Sequence, residues 1–199
     1  MSTIQLYWSP KTRASRIVWL LEEMEKPYDL VEVPIRDPEA ERQPEFLAAS
    51  PLGKVPAVVD GEVAVADSAA IATYLADRYP ECGLAPATDH PLRGSYLYWM
   101  LFTPGVIEPA MAEKFAGLDP NPMAYSWGSY DLMIQTFENA VREREWILGD
   151  RFSAADVLLG SSAGFLRQFG LVSKGPIADY GARCAARPAH VKAMQLDDV

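Results

Sequence analysis

Cysteine is scarce in this chain of 199 residues: Cys82 and Cys184 stand far apart and in no CxxC or metal-ligand spacing. That excludes a disulfide framework and a cysteine-based zinc site. Histidine is equally thin, with His90 and His190 alone, so no metal is expected. Positive charge is the minority sign, with 18 Lys and Arg against 27 Asp and Glu and a formal net charge of -9. General binding to nucleic acid or to an anionic membrane surface is therefore excluded, and an anionic small ligand needs a local basic patch. No apolar run is long enough to span a bilayer, and the start of the chain lacks the basic region and apolar core of a secretory signal. Together these absences predict a soluble cytoplasmic protein.

Apolar residues, in contrast, are plentiful: at 49% of the composition they supply a core for one large domain or two small ones. Ile4 to Trp8 reads as a short strand, and from Ser9 the pattern turns helical, with Ala14, Ile17, Val18, Leu21 and Met24 at three- and four-residue steps. Tyr28 to Val33 returns to strand, and such a crossover makes a parallel pair. After a polar stretch from Pro34 to Pro44 and a short helical piece near Phe46 comes a strand at 55–59. Asp60-Gly61 predicts a two-residue hairpin turn, with Glu62 to Val65 as the return strand. Asp67-Ser68 then caps a helix carrying Ile71, Ala72, Leu75 and Tyr79 on one face.

The order βαβ–ββα predicts a four-stranded sheet in an N-terminal domain over residues 1–81, and residues 82–199 predict an all-α domain. In the latter, Leu92 to Phe115 should be kinked or broken at Pro104-Gly105 and Pro109. Met123 to Leu148 forms a second long helical pattern. Ser153 and Asp156 fit a capping box, with Phe152 and Val157 placed as its hydrophobic staple, before an apolar helix over 157–169. Shorter helices near 176–186 and 189–196 would close the bundle.

The segment Tyr7-Trp8-Ser9-Pro10-Lys11-Thr12-Arg13 carries the chemistry. Thioredoxin-like folds place Cys-Pro-x-Cys at such a strand-to-helix turn, and here the two cysteine positions read Ser9 and Thr12. A hydroxyl cannot form a mixed disulfide, but it can donate to a thiolate carried by a ligand. A free thiol ionises near pKa ~8.5, and lowering that by about two units corresponds to roughly 2.7 kcal/mol. One hydrogen bond to a charged acceptor, worth about 1.5–3 kcal/mol, supplies much of it. From the residues alone Ser9 reads first as an N-cap, with Pro10 at the first helical position. Thr12 offers a second hydroxyl, Arg13 a charge, and Tyr7 a phenol, although a strand tyrosine usually feeds the core. Lys11 and Arg16 read as solvated.

Four separated signals, Ser9-Pro10, Gly53-Lys54-Val55-Pro56, Asp67-Ser68 and Phe152-Ser153-Ala154-Ala155-Asp156, occur in the order found in the cytosolic glutathione transferases, which the chain resembles over nearly its whole length. The likeness is to the bacterial, serine-type, theta/beta-like members. It implies a thioredoxin-like α/β domain followed by an all-helical domain, and a homodimer. It further implies glutathione as co-substrate, Ser9 as the group that binds the thiolate, and attack on an electrophilic, mostly apolar small molecule.

By the same resemblance, a cis Val55–Pro56 bond turns backbone groups toward the cysteinyl part of glutathione. Asp67 and Ser68 hold the γ-glutamyl end, and Lys54, with Gln43 as a further candidate, reaches the glycyl carboxylate. Asp67 stands where Glu or Gln is commoner, one methylene shorter. The Ser153–Asp156 box is structural. Trp8, Trp99, Phe102 and Met111 are equally open to lining the second substrate or to filling the core. Peroxide reduction, thiol transfer and a non-catalytic binding module stand as alternatives, since fold does not fix function.

Overall fold

The computed structural model describes residues 3–197, in two compact units. One unit comprises the chain through Gly83 together with the segment from Ala186; the other is Leu84–Ala185.

The first unit is built on β1 (Ile4–Trp8), α1 (Ser15–Met24), β2 (Tyr28–Glu32), α2 (Pro44–Ala49), β3 (Ala57–Asp60), β4 (Val63–Ala66) and α3 (Ser68–Arg78). The sheet order is β2-β1-β3-β4, with β1 parallel to β2 and the other two pairs antiparallel. This is the thioredoxin-like arrangement. The hairpin turn falls one residue later than the sequence suggests: Asp60 pairs with Val63, leaving Gly61 and Glu62 as the central residues. Gly61 has φ +62°, and a first central position with positive φ favours glycine. Asp60 stays in the strand because its buried carboxylate accepts from the hydroxyls of Tyr74 (3.1 Å) and Tyr79 (2.9 Å) on and just beyond α3.

Tyr7 and Ala57 meet Val33, Phe46 and Ala49 in one cluster on the sheet, so α2 is held by the ring of Phe46 against the ring of Tyr7 at 5.4 Å. Helix α1 is buried almost all round: Trp19 and Leu20, off the stripe predicted from the sequence, are as covered as Ile17 and Leu21. A helix buried on nearly every side needs apolar cover and partners for its charges there. That cover includes α9 (Pro188–Asp197), which the sequence assigned to the helical bundle. Arg187 grips Glu23 with two short contacts (2.6 and 2.7 Å), Lys192 reaches Glu22 (2.6 Å), and His190 meets the Trp19 ring edge-on at 4.7 Å.

The second unit contains α4 (Arg93–Phe102), α5 (Glu108–Ala116), α6 (Tyr130–Val141), α7 (Ala154–Gln168) and α8 (Pro176–Ala185). The expected break falls at Thr103–Ile107, a π-helical turn bearing Pro104 and Gly105. The long helix expected over 123–148 is shorter, starting only at Tyr130, where the Ser129 hydroxyl caps it, and ending at Val141. Helix α7 is the buried centre of the unit. At its start the Asp156 carboxylate accepts from the Ser153 N–H and hydroxyl (both 2.9 Å), the Ile147 N–H (2.7 Å) and the Tyr180 hydroxyl (2.8 Å). Burial pushes the Asp156 carboxyl up, against the pull of those donors. The capping box is thus also a tie between loop and helix.

Candidate functional site

The sheet register brings the predicted residues to one edge. Tyr7 pairs with Ala57 and Ala57 with Ala66, so the end of β1, the start of β3 and the end of β4 share one end of the sheet. Ser9, Val55–Pro56 and Asp67–Ser68 continue directly from those three strand ends. β2 runs parallel to β1, and the Val33 N–H donates to the Trp8 carbonyl at 2.8 Å, so the segment after β2 reaches the same edge.

Ser9 is 3% exposed and does not cap the helix, contrary to the expectation from Ser9-Pro10. No side chain caps α1; Thr12 instead holds the turn that leads into it, its Oγ1 accepting from the Ala14 N–H (3.1 Å) and its backbone carbonyl from the Ser15 N–H (3.2 Å). The same Oγ1 donates to the Ser9 carbonyl at 2.7 Å. Both roles of the Thr12 hydroxyl are thereby spent locally, whereas the Ser9 hydroxyl is left out of these bonds. Ser9 Oγ accepts from Arg36 Nη1 at 3.3 Å. Tyr7 faces the core cluster with Phe46, in keeping with a core tyrosine. Arg13 is exposed.

The Val55–Pro56 bond is cis, as the resemblance implied. Val55 is half-buried and Lys54 exposed. The loop before them is fastened by Ser50, whose buried hydroxyl donates to the Lys54 carbonyl (2.7 Å) and accepts from the Lys54 N–H (3.1 Å). Gln43 sits exposed at the start of α2 and makes no side-chain cap.

Asp67 adopts φ +75° and ψ 131°, a strained conformation for a residue with a Cβ. Its Oδ1 accepts from the N–H groups of Ala69 (2.8 Å) and Ala70 (3.2 Å), which caps α3 and holds the strain in place. The side chain is exposed, with Oδ2 outside those two bonds. Ser68, 6% exposed, accepts from Arg16 Nη1 at 3.2 Å. Arg16 is not the solvated residue the sequence suggested: it is 2% exposed. Its place at i−4 and i−8 from the apolar Leu20 and Met24 was the available signal.

Sequence reasoning also missed Ser50 and Arg36. Ser50 acts on Lys54 four residues on, without a recognisable motif, and Arg36 acts on a turn that only the fold brings near. With Arg16, Arg36 gives this edge the local positive charge that the net charge of -9 otherwise denies it. Among the described residues no group of three or more His, Cys, Asp or Glu could hold a metal ion, and no helix is long and apolar enough to cross a membrane.

The pattern for the glutathione S-transferase N-terminal domain matches residues 9–78, which spans the whole of this edge. Glutathione S-transferase 3 of Schizosaccharomyces pombe is 30% identical over 77% of this chain and 70% of its own length. The chain belongs to the glutathione S-transferase family. The disulfide-bond oxidoreductase YfcG of Escherichia coli is 28% identical over 98% of this chain and 97% of its own. Among solved structures, a sphingomonad glutathione S-transferase complexed with glutathione superposes with a TM-score of 0.79 at 25% identity, covering 98% of this chain and 99% of the other. The relatives support a glutathione transferase or related enzyme, and Ser9, Val55, Asp67 and Ser68 all fall within the matched residues 9–78.

Proposed function

We propose that this glutathione S-transferase conjugates the thiolate of glutathione to electrophilic, mostly apolar small molecules, with Ser9 donating its hydroxyl hydrogen bond to the sulfur. The observation that carries this reading is the state of Ser9: its hydroxyl is released from capping, accepts from a guanidinium, and sits at the sheet edge beside the cis Val55–Pro56 bond. A hydroxyl donor favours the charged form of a thiol, and the more so when a guanidinium holds the hydroxyl oxygen. In this proposal Val55 and Pro56 pair with the cysteinyl backbone. Ser68 and the Oδ2 of Asp67 take the γ-glutamyl end, and Lys54 takes the glycyl carboxylate. Glutathione is a co-substrate and needs no metal. The bound glutathione of the sphingomonad structure supports the ligand. Two chains are proposed to pair as a homodimer, which sedimentation at micromolar concentration would test as a species of twice the chain mass.

Retention on immobilised glutathione with elution by free glutathione, followed by conjugation of an activated aryl chloride, tests the main proposal. Failure to be retained overturns it. A second reading, glutathione-dependent disulfide reduction, is favoured by the Escherichia coli relative named as a disulfide-bond oxidoreductase. Without a cysteine at position 9 or 12 the exchange would run between two glutathione molecules and the substrate disulfide, giving oxidised glutathione and two substrate thiols. Comparing aryl chloride conjugation with reduction of a small dialkyl disulfide separates the two.

A further inference from the structure

Arg36 lies in the exposed segment after β2, yet its guanidinium bridges the turn at the end of β1. Nη1 donates to Ser9 Oγ (3.3 Å), and Nη2 donates to the carbonyls of Pro10 (2.8 Å) and Lys11 (3.3 Å). Lys11 has φ +56°, so the carbonyls that Arg36 gathers belong to a turn in the left-handed region. The segment is delivered there by backbone bonds, from the Val33 N–H to the Trp8 carbonyl (2.8 Å) and from the Ile35 N–H to the Val33 carbonyl (2.7 Å).

A guanidinium has donors and no acceptor, and it keeps its charge at any physiological pH. In the bond to Ser9 the hydroxyl oxygen must therefore be the acceptor, and the hydroxyl hydrogen is left to point elsewhere. No described residue takes that hydrogen: the other nearby hydroxyl, Thr12 Oγ1, donates to the Ser9 carbonyl and accepts from Ala14. An oxygen held by a cation also makes its own O–H a stronger donor, since linked hydrogen bonds polarise one another.

Resting on the reading that Ser9 receives the glutathione thiolate, we infer that Arg36 is a positioning residue that acts through Ser9. It orients the hydroxyl as a donor to sulfur and fixes the turn that carries it. An arginine that only tied the loop would hold the same carbonyls without influencing the sulfur, and one that acted directly on the sulfur would not need Ser9.

The test is the ionisation of bound glutathione, followed by thiolate absorbance against pH in saturated complexes of the parent, Ser9→Ala, Arg36→Lys, Arg36→Met and Ser9→Ala/Arg36→Met. Arg36→Met is expected to raise the apparent thiol pKa by about 0.5–1 unit, and Arg36→Lys, which keeps charge and donors, to restore most of it. In the Ser9→Ala background the Arg36→Met shift should vanish. A shift of equal size in both backgrounds would overturn the inference, as would no shift in Arg36→Met alongside a clear shift in Ser9→Ala. No shift in Ser9→Ala itself would instead remove the reading on which it rests. If Arg36→Met does not fold, Arg36→Gln carries the same comparison, with its shift again required to vanish without Ser9.

Discussion

Arg16 and Ser68 stand 52 positions apart in the chain, and inside the first unit the guanidinium of one donates to the hydroxyl of the other at 3.2 Å. The bond ties the start of α1 to the start of α3, the two helices that follow Ser9 and Asp67. Arg16→Met keeps most of the buried stem and loses the charged donor, so it should cost about 1.5–3 kcal/mol of stability. Chemical denaturation should show this as a lower midpoint at unchanged slope.

Ser9→Ala and Thr12→Val should separate chemistry from support of the turn. Loss of a hydrogen bond to a charged sulfur predicts a fall in kcat/KM for conjugation of about ten- to a hundredfold for Ser9→Ala, with the acid limb of the pH profile, where the thiol ionises, moved to higher pH. Thr12→Val removes the hydroxyl that ties the turn to the Ser9 carbonyl and the Ala14 N–H and should cost about 1 kcal/mol of stability, with the pH profile in place. The reverse pattern would assign the thiol to Thr12.

Asp67→Asn distinguishes the cap from the charge. Asparagine caps as well as aspartate and tolerates positive φ, so stability should stay within about 0.5 kcal/mol. A proposed ion pair with the ligand's amino group would be lost. Isothermal titration should therefore show glutathione binding weakened severalfold in a folded variant, and unchanged affinity would remove Asp67 from the ligand site.

The α9 clasp is testable through Arg187, which holds both oxygens of a Glu23 side chain only 7% exposed. Arg187→Met leaves that carboxylate to the Trp19 indole N–H at 2.8 Å. A destabilisation of about 1.5–3 kcal/mol is expected, and the double variant with Glu23→Gln should recover part of it in a denaturation cycle.

At high pH the Tyr79 phenol should titrate late. Burial and its bond to the Asp60 carboxylate push its pKa up to about 12 from the model-compound value of 10.0. Since the folded value lies above the unfolded one, the stabilisation is complete below pH ~10 and is lost as pH rises toward ~12. Phenolate absorbance should lose a late-titrating group in Tyr79→Phe, and stability should fall less steeply over that window in the variant.

Much of the local structure around the candidate site was legible because it rests on strong local signals. The strand at Ile4–Trp8, the Asp67 cap and the Ser153–Asp156 box each rest on neighbours within a few residues, and each is present in the structure. Of the misplaced features one was local and the others depended on distant partners. Ser9 looked like a cap because Ser-Pro is a cap sequence, but Thr12 three residues on has the geometry to close the turn. Arg16 looked solvated because it is charged, and Arg36 lay in a polar stretch with no motif around it.

The sequence by itself determined the order of strands and helices, the absence of a cysteine at the turn and the residues at the ends of the strands, since periodicity, capping and composition are local properties. Tertiary structure alone decided that α9 covers α1, that Asp60 stays in its strand, and that Arg36 reaches Ser9. These outcomes depend on which surfaces need burial and which charges need partners once the sheet register is set, and no window of neighbouring residues contains that information.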